Sequence, residues 1–178
     1  LAAAAGFLAY RTDAGTQRQL AWVDRSGTAR GTVGDPGGSD LLHPRVAPDG
    51  RRVMVERGVQ GNRDLWLLDG PRMSRLTFDP ATDERGLFSP DGTRIVFRSG
   101  RTNSLDFYLK PTNGAGVEEL FVASDRSKSP TSWSRDGRFL LFLSIDPKTG
   151  GDLWVAPMVG DHTPSVFLKT PFREAYGE

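Results

Sequence analysis

The 178-residue chain has no cysteine. That excludes disulfide staples, thiolate zinc sites and cysteine nucleophiles. It leaves the compartment open, because cytosol and periplasm both accept a cysteine-free chain. Histidine is nearly absent as well: His43 and His162 stand alone and far apart. No HExxH or other paired ligand spacing accompanies them, so no metal site is expected. There is no GxSxG elbow, no GxxxxGK[ST] and no GxGxxG opening a helix. No catalytic residue and no cofactor is therefore expected of this chain. Charge of one sign is lacking too. Lys and Arg total 23 against 22 Asp and Glu, a net charge of +1. A nucleic-acid footprint has no support from that balance. The longest apolar run, LAAAAGFLA at residues 1–9, is far shorter than the roughly 20 residues of a membrane helix. It also lacks the basic flank of a secretory signal. Membrane insertion by this segment is not expected.

What the chain does have is turns, and they recur. Gly 21 and Pro 12 are spread throughout, and no stretch shows helical period with caps at both ends. Three Asp-Gly turns stand out: Pro48-Asp49-Gly50, Pro90-Asp91-Gly92 and Arg135-Asp136-Gly137. Proline presets φ at the first turn position, Asp tolerates the second, and Gly takes the left-handed site. Each turn is followed by an apolar run (RRVMVER, TRIVFRS, RFLLFLS). An aromatic set among aliphatics follows about 15 residues later: Trp66, Tyr108 and Trp154. A short third run closes each unit (SRLTF, EELFV, SVFLK). The first 42 residues repeat only the latter part of the unit, with Trp22 as the aromatic.

Alternation and β-branched or aromatic content read as strands. Four antiparallel strands per unit of about 40–45 residues is the period of propeller blades. The expected fold is all-β: a β-propeller of four-stranded antiparallel blades, about four repeats, forming part of a larger propeller. The expected organisation is one propeller region over 1–178. It divides into a three-stranded partial blade at 1–42, blades at 43–84, 85–128 and 129–169, and the start of a further blade at 170–178. A blade cannot bury both faces alone, so neighbours must cover it. Trp22, Trp66, Phe97, Tyr108, Trp133, Phe142 and Trp154 are assigned to the layers between blades.

Propellers present binding loops around the central channel, and the loop before each first strand reaches that face. Those positions carry His43, Arg45, Glu84, Arg85, Lys128, Arg173 and Glu174. Several arginines converging would suit a small anionic ligand or an acidic peptide. The loop Asp79-Pro-Ala-Thr-Asp83-Glu84 has the oxygen-rich character that hard cations favour. Its spacing matches no EF-hand, and it reads as an exposed turn. Unclosed blade edges could pair between chains, so self-association is a further expectation.

The segments APDGRRVMVERG, RDLWLLDG and SRLTF, together with FSPDGTRIVFRSGRTNSLDFYLKPTNG, resemble WD-like β-propeller repeats of the TolB kind. The resemblance spans about residues 7 to 178 and departs in the third repeat, where Arg135 replaces the proline. A narrower resemblance rests on QLAWVDRSGTARGTVG, GNRDLWLLDG, RLTFDPATDE, DPKTGGDLWVAPMVGD and LKTPFREAYGE. These are similar to propeller regions attached to bacterial serine/threonine protein kinases. That likeness implies a non-catalytic sensing or docking module, bacterial and periplasmic or otherwise extracytoplasmic, that binds a protein or peptide partner. The chain itself carries no kinase motif. The alternatives are the gating propeller of a prolyl-oligopeptidase-like peptidase and a periplasmic TolB-like envelope protein.

Overall fold

The computed structural model describes residues 2–4, 7–14, 17–34, 41–102 and 104–175, with side chains from Leu20 onward. The chain divides into two compact units, Leu1–Glu84 and Arg85–Glu178. No helix occurs among the described residues, so none is long and apolar enough to cross a membrane. The all-β expectation of four-stranded antiparallel blades holds, for every strand belongs to one of four such sheets.

In the first unit, one sheet runs β1 (Ala2–Ala4), β2 (Phe7–Ala14), β3 (Gln17–Val23) and β4 (Ala29–Val33). The next runs β5 (Leu41–Val46), β6 (Arg52–Val59), β7 (Asn62–Asp69) and β8 (Arg72–Arg75). The third sheet runs β9 (Asp83–Phe88), β10 (Arg94–Ser99), β11 (Asp106–Pro111) and β12 (Glu119–Val122). The fourth runs β13 (Lys128–Trp133), β14 (Phe139–Asp146), β15 (Gly150–Pro157) and β16 (Ser165–Leu168). Each sheet is a meander in which every strand pairs with its neighbour in sequence.

The first 42 residues differ from expectation. A fourth strand, β1, pairs with β2 in the register Ala2↔Ala9 and Ala4↔Phe7. An alanine segment joins a ladder through backbone groups that every residue carries, so neither propensity nor an Asp-Gly turn announced it. The first strands of the later sheets begin at Leu41, Asp83 and Lys128, one or two residues before the expected boundaries. The described part of the C-terminal segment, 170–175, holds no strand. It is tied down by one backbone bond, Glu174 N–H to the Gly151 carbonyl at 2.8 Å.

The Asp-Gly turns form through side chains as well as backbone. In each, the glycine N–H returns to the residue three before it: Gly50 to Ala47, Gly92 to Ser89 and Gly137 to Ser134, at 2.8–2.9 Å. The glycines sit at φ +70°, +68° and +75°, a region that a Cβ penalises. The aspartate Oδ1 accepts the N–H two residues on, from Arg51, Thr93 and Arg138. Arg135 in place of proline leaves this network intact, because none of these bonds uses that side chain.

Two apolar clusters hold the sheets. In the first unit Leu20, Val33, Leu41, Val53, Val55 and Leu68 pack together, with Trp22 and Trp66 half-buried against them. In the second, Val96, Phe107, Leu109, Phe121 and Val122 of the third sheet meet Leu140, Phe142 and Ala156 of the fourth. Phe107 and Phe142 cross edge to face at 5.3 Å, a favoured aromatic geometry. The aromatic set assigned to the layers behaves accordingly. Phe97, Tyr108 and Phe142 are buried, and Trp22, Trp66, Trp133 and Trp154 pack half-buried against the clusters.

Candidate functional site

Strand direction reverses at every turn, so the connections of each sheet segregate by end. The first-to-second and third-to-fourth turns share one end, which carries the Asp-Gly turns. The second-to-third turn and the segment leading into the next sheet share the other. Of the residues expected to bind, His43, Glu84, Arg85, Lys128, Arg173 and Glu174 lie toward this second end, whereas Arg45, the penultimate residue of β5 and paired with Met54, lies toward the Asp-Gly end.

In the first unit, β5 bulges between Leu42 and Arg45. The bulge holds His43 at φ +46°, a conformation uncommon for a residue with a Cβ. His43 Nδ1 lies 2.9 Å from Oε1 of the buried Glu56 on β6. Arg45 is exposed two residues later. Glu84 faces Arg63 at 3.6 Å, beyond good hydrogen-bond distance. The acidic loop is self-contained: Asp79 Oδ1 accepts the Ala81 N–H, its carbonyl accepts Asn62 Nδ2, and Asp83 is fully buried. No group of three or more His, Asp or Glu able to hold a metal ion occurs among the described residues.

In the second unit, Arg85 is exposed at φ +56°. Lys128 is turned inward and buried. Its ammonium donates to Asp106 at 2.7 Å and to Ser124 Oγ at 3.0 Å. Burial pushes the Asp106 carboxyl up, but hydrogen bonds from Lys128, Thr102 and the Ser124 N–H outweigh it and hold it below the ordinary range. Beside it, Asp146 accepts from Arg126 at 2.9 Å and from Lys169 at 3.0 Å, and Lys169 also donates to Asp152 at 3.0 Å. The Lys148 backbone N–H and the Lys169 ammonium hold Asp146 well below the usual carboxylate value. Arg126, Lys128, Phe142 and Trp154 line a cavity of about 320 Å³. Arg173 and Glu174 lie against Gly150 and Gly151, and Glu174 accepts from the Thr170 hydroxyl.

The seven residues therefore divide by role. Lys128 is a packing and ion-pair residue, and its charge is neutralised inside the sheet layer. His43 and Glu84 each face an opposite or polar partner of their own unit. Arg45, Arg85 and Arg173 are exposed, and Glu174 is held by the Thr170 hydroxyl.

Two features were not singled out from the sequence. One is a buried aspartate two residues before the aromatic of the third strand: Asp64, Asp106 and Asp152. Each is bonded to a cation, Arg75, Lys128 and Lys169 respectively. The signal was visible as Asp-Leu-Trp, Asp-Phe-Tyr and Asp-Leu-Trp. The other is a groove of about 660 Å³ at the Asp-Gly end of the first unit, lined by Trp22, Asp24, Arg30, Gly50, Arg51 and Asp69. Only the pairing of two sheets assembles it, so no single segment displays it.

No family model matches the chain. It is similar to the Tol-Pal system protein TolB of Anaeromyxobacter dehalogenans (strain 2CP-1 / ATCC BAA-258), at 34% identity over 97 residues. That match takes in 52% of this chain and 22% of that protein, so the chain spans about a fifth of the relative's length. Among solved structures it is similar to TolB from Acinetobacter baumannii, with a TM-score of 0.75, 19% identity, and coverage of 93% of this chain and 41% of that one. It is also similar to a prolyl endopeptidase structure, with a TM-score of 0.69, 16% identity, and coverage of 93% and 28%. At these identities the structural likeness establishes the fold: the sheets are blades of the TolB and peptidase propeller type.

Proposed function

We propose that the chain is a non-catalytic β-propeller module that binds a protein partner through the end of its sheets carrying the strand-linking segments, in an extracytoplasmic setting. The observation that carries this reading is the sequence likeness to TolB, which reaches 34% identity over 97 residues and so exceeds what shared fold alone supplies. The arrangement at that end supports it. Interior acids and cations pair with one another there, and Arg85 and Arg173 are exposed. Exposed arginines on rigid strands suit a partner bearing carboxylates. A narrower form of the reading, a sensing or docking region attached to a serine/threonine kinase, rests on the sequence resemblance alone.

The relative's name supplies a partner to test, the Pal component of a Tol-Pal system. Calorimetric titration of the chain with purified Pal is expected to give micromolar binding. Arg85→Ala is expected to weaken it by roughly three- to tenfold, chiefly through the association rate. Absence of binding up to about 100 µM would overturn the reading. The peptidase-type alternative is favoured by the prolyl endopeptidase likeness. It predicts instead that the chain associates with an α/β-hydrolase domain.

A further inference from the structure

The three Asp-Gly turns differ at one position. Proline precedes the aspartate in two of them, as Pro48 and Pro90, and Arg135 precedes it in the third. The turn makes no use of the arginine. Gly137 N–H donates to the Ser134 carbonyl, and Asp136 accepts from the Ser134 hydroxyl and the Arg138 N–H. Proline presets φ at this position and arginine does not. The fold thus supplies no reason for a cation here. Arg135 is exposed, and its side chain makes no ion pair or hydrogen bond with any described residue.

A second arginine beside it is in the same condition. Arg94 stands three residues after Asp91, as Arg52 stands three after Asp49. Arg52 Nε bonds Asp49 at 2.5 Å, whereas Arg94 reaches no described carboxylate within ion-pair distance. Asp91 Oδ1 is committed to its own turn. It accepts the Ser89 hydroxyl at 2.6 Å, the Thr93 N–H at 3.0 Å and the Thr93 hydroxyl at 2.9 Å. Asp136 is committed as well, since its Oδ2 accepts Arg138 Nε at 2.6 Å. Arg94, Arg135 and Trp133 line one cleft of about 320 Å³, walled by the Asp-Gly turns of the third and fourth sheets. The Trp133 indole N–H donates to the Gly137 carbonyl at 3.2 Å, so what it adds to the cleft is apolar ring surface. With Arg138 included, three guanidiniums face two carboxylates, and the cleft keeps one positive charge in excess.

We propose that this cleft binds a small ligand consisting of a flat ring that bears one oxyanion, the anion lying between Arg94 and Arg135 and the ring on Trp133. Guanidinium N–H groups match the oxygens of carboxylate and phosphate alike. The volume is at the small end of ligand pockets, which span roughly 300–1,000 Å³, and a ring with its anion is of that size. The cleft lies at the Asp-Gly end, so the proposal is independent of partner binding at the linking segments. It also gives the departure of the third repeat a purpose: Arg135 replaces a proline that the turn would accept.

Phenyl phosphate and benzoate test the cleft, each titrated into the full chain at about 0.15 M salt while the Trp133 indole N–H is followed by NMR. Saturable shifts with a dissociation constant of about 1 mM or tighter are expected for at least one of them. The tighter of the two identifies the oxyanion as phosphate or carboxylate. Inorganic phosphate, which lacks the ring, is expected to bind more weakly than phenyl phosphate. Arg135→Pro installs the residue of the other two turns. It is expected to weaken binding at least about tenfold with the melting temperature unchanged or raised. Should that variant unfold, Arg94→Gln reports the same loss. Arg51→Gln removes an exposed arginine beside an Asp-Gly turn of the first unit and is expected to leave binding intact. No saturable binding below about 10 mM would overturn the proposal. So would binding indifferent to Arg135→Pro and Arg94→Gln, an equal loss in Arg51→Gln, or inorganic phosphate binding as tightly as phenyl phosphate.

Discussion

At the scale of single residues, the aspartates of the Asp-Gly turns act as acceptors for their own turn. Asp91 is held down to about 2 by the Ser89 hydroxyl, then by the Thr93 N–H and hydroxyl. Asp136 is likewise held to about 2 by the Ser134 hydroxyl, then by the Arg138 N–H and side chain. Both folded values lie below the ordinary 3.8. Their contribution to stability is therefore complete above about pH 4 and is lost as pH falls through 2. A melting-temperature series from pH 5 to pH 2 should show a decline over that window. Asp91→Asn and Asp136→Asn should flatten it, with melting temperatures at pH 5 little changed because the amide oxygen still accepts. An unchanged acid slope in the double variant would contradict this account. Both groups are exposed, so the effect of each is modest.

At the scale of the element, the first strand of a blade stands out for its backbone. β5 carries His43 at φ +46°, and β9 carries Arg85 at φ +56°. Each lies six residues before the aspartate of its Asp-Gly turn. In β5 a bulge re-aims the strand end and leaves a left-handed residue behind. β-Branched side chains tolerate that conformation worst. Arg85→Val is accordingly expected to lower stability by about 1–2 kcal/mol more than Arg85→Gly does. Urea unfolding of the two variants distinguishes strain from loss of the side chain, since both lack the guanidinium. Equal destabilisation would show that the arginine's contacts matter and the backbone does not.

At the scale of the molecule, each compact unit has two sheets and a cluster of its own, with the boundary falling two residues into β9. All strand pairs join sequence neighbours, so loop closure is local and no distant pairing need form first. The fragment Arg85–Glu178 is therefore expected to unfold cooperatively by itself, with strand circular dichroism and fluorescence of Trp133 and Trp154 changing together. Non-coincident or gradual transitions would refute it. The blade plan was legible because its signals are local: Asp-Gly turns, alternation, and an aromatic at a fixed offset. β1 was not, since Ala2–Ala4 joins its sheet through backbone alone. The candidate binding end was legible only as a set of positions. That Lys128 turns inward depends on the buried acid it meets. Asp106 is supplied by the neighbouring sheet, 22 residues earlier in the chain.

The two ends of a blade are under unequal chemical constraint. One is stitched by glycines with φ near +70° and by carboxylates bound to their own backbone, so few alternatives would fit there. The other is held by ion pairs within and between sheets, and several of its positions are exposed. Such a scaffold can exchange its recognition chemistry at one pole while the opposite pole keeps the architecture fixed. Diversification of partners would then leave the folding pattern untouched.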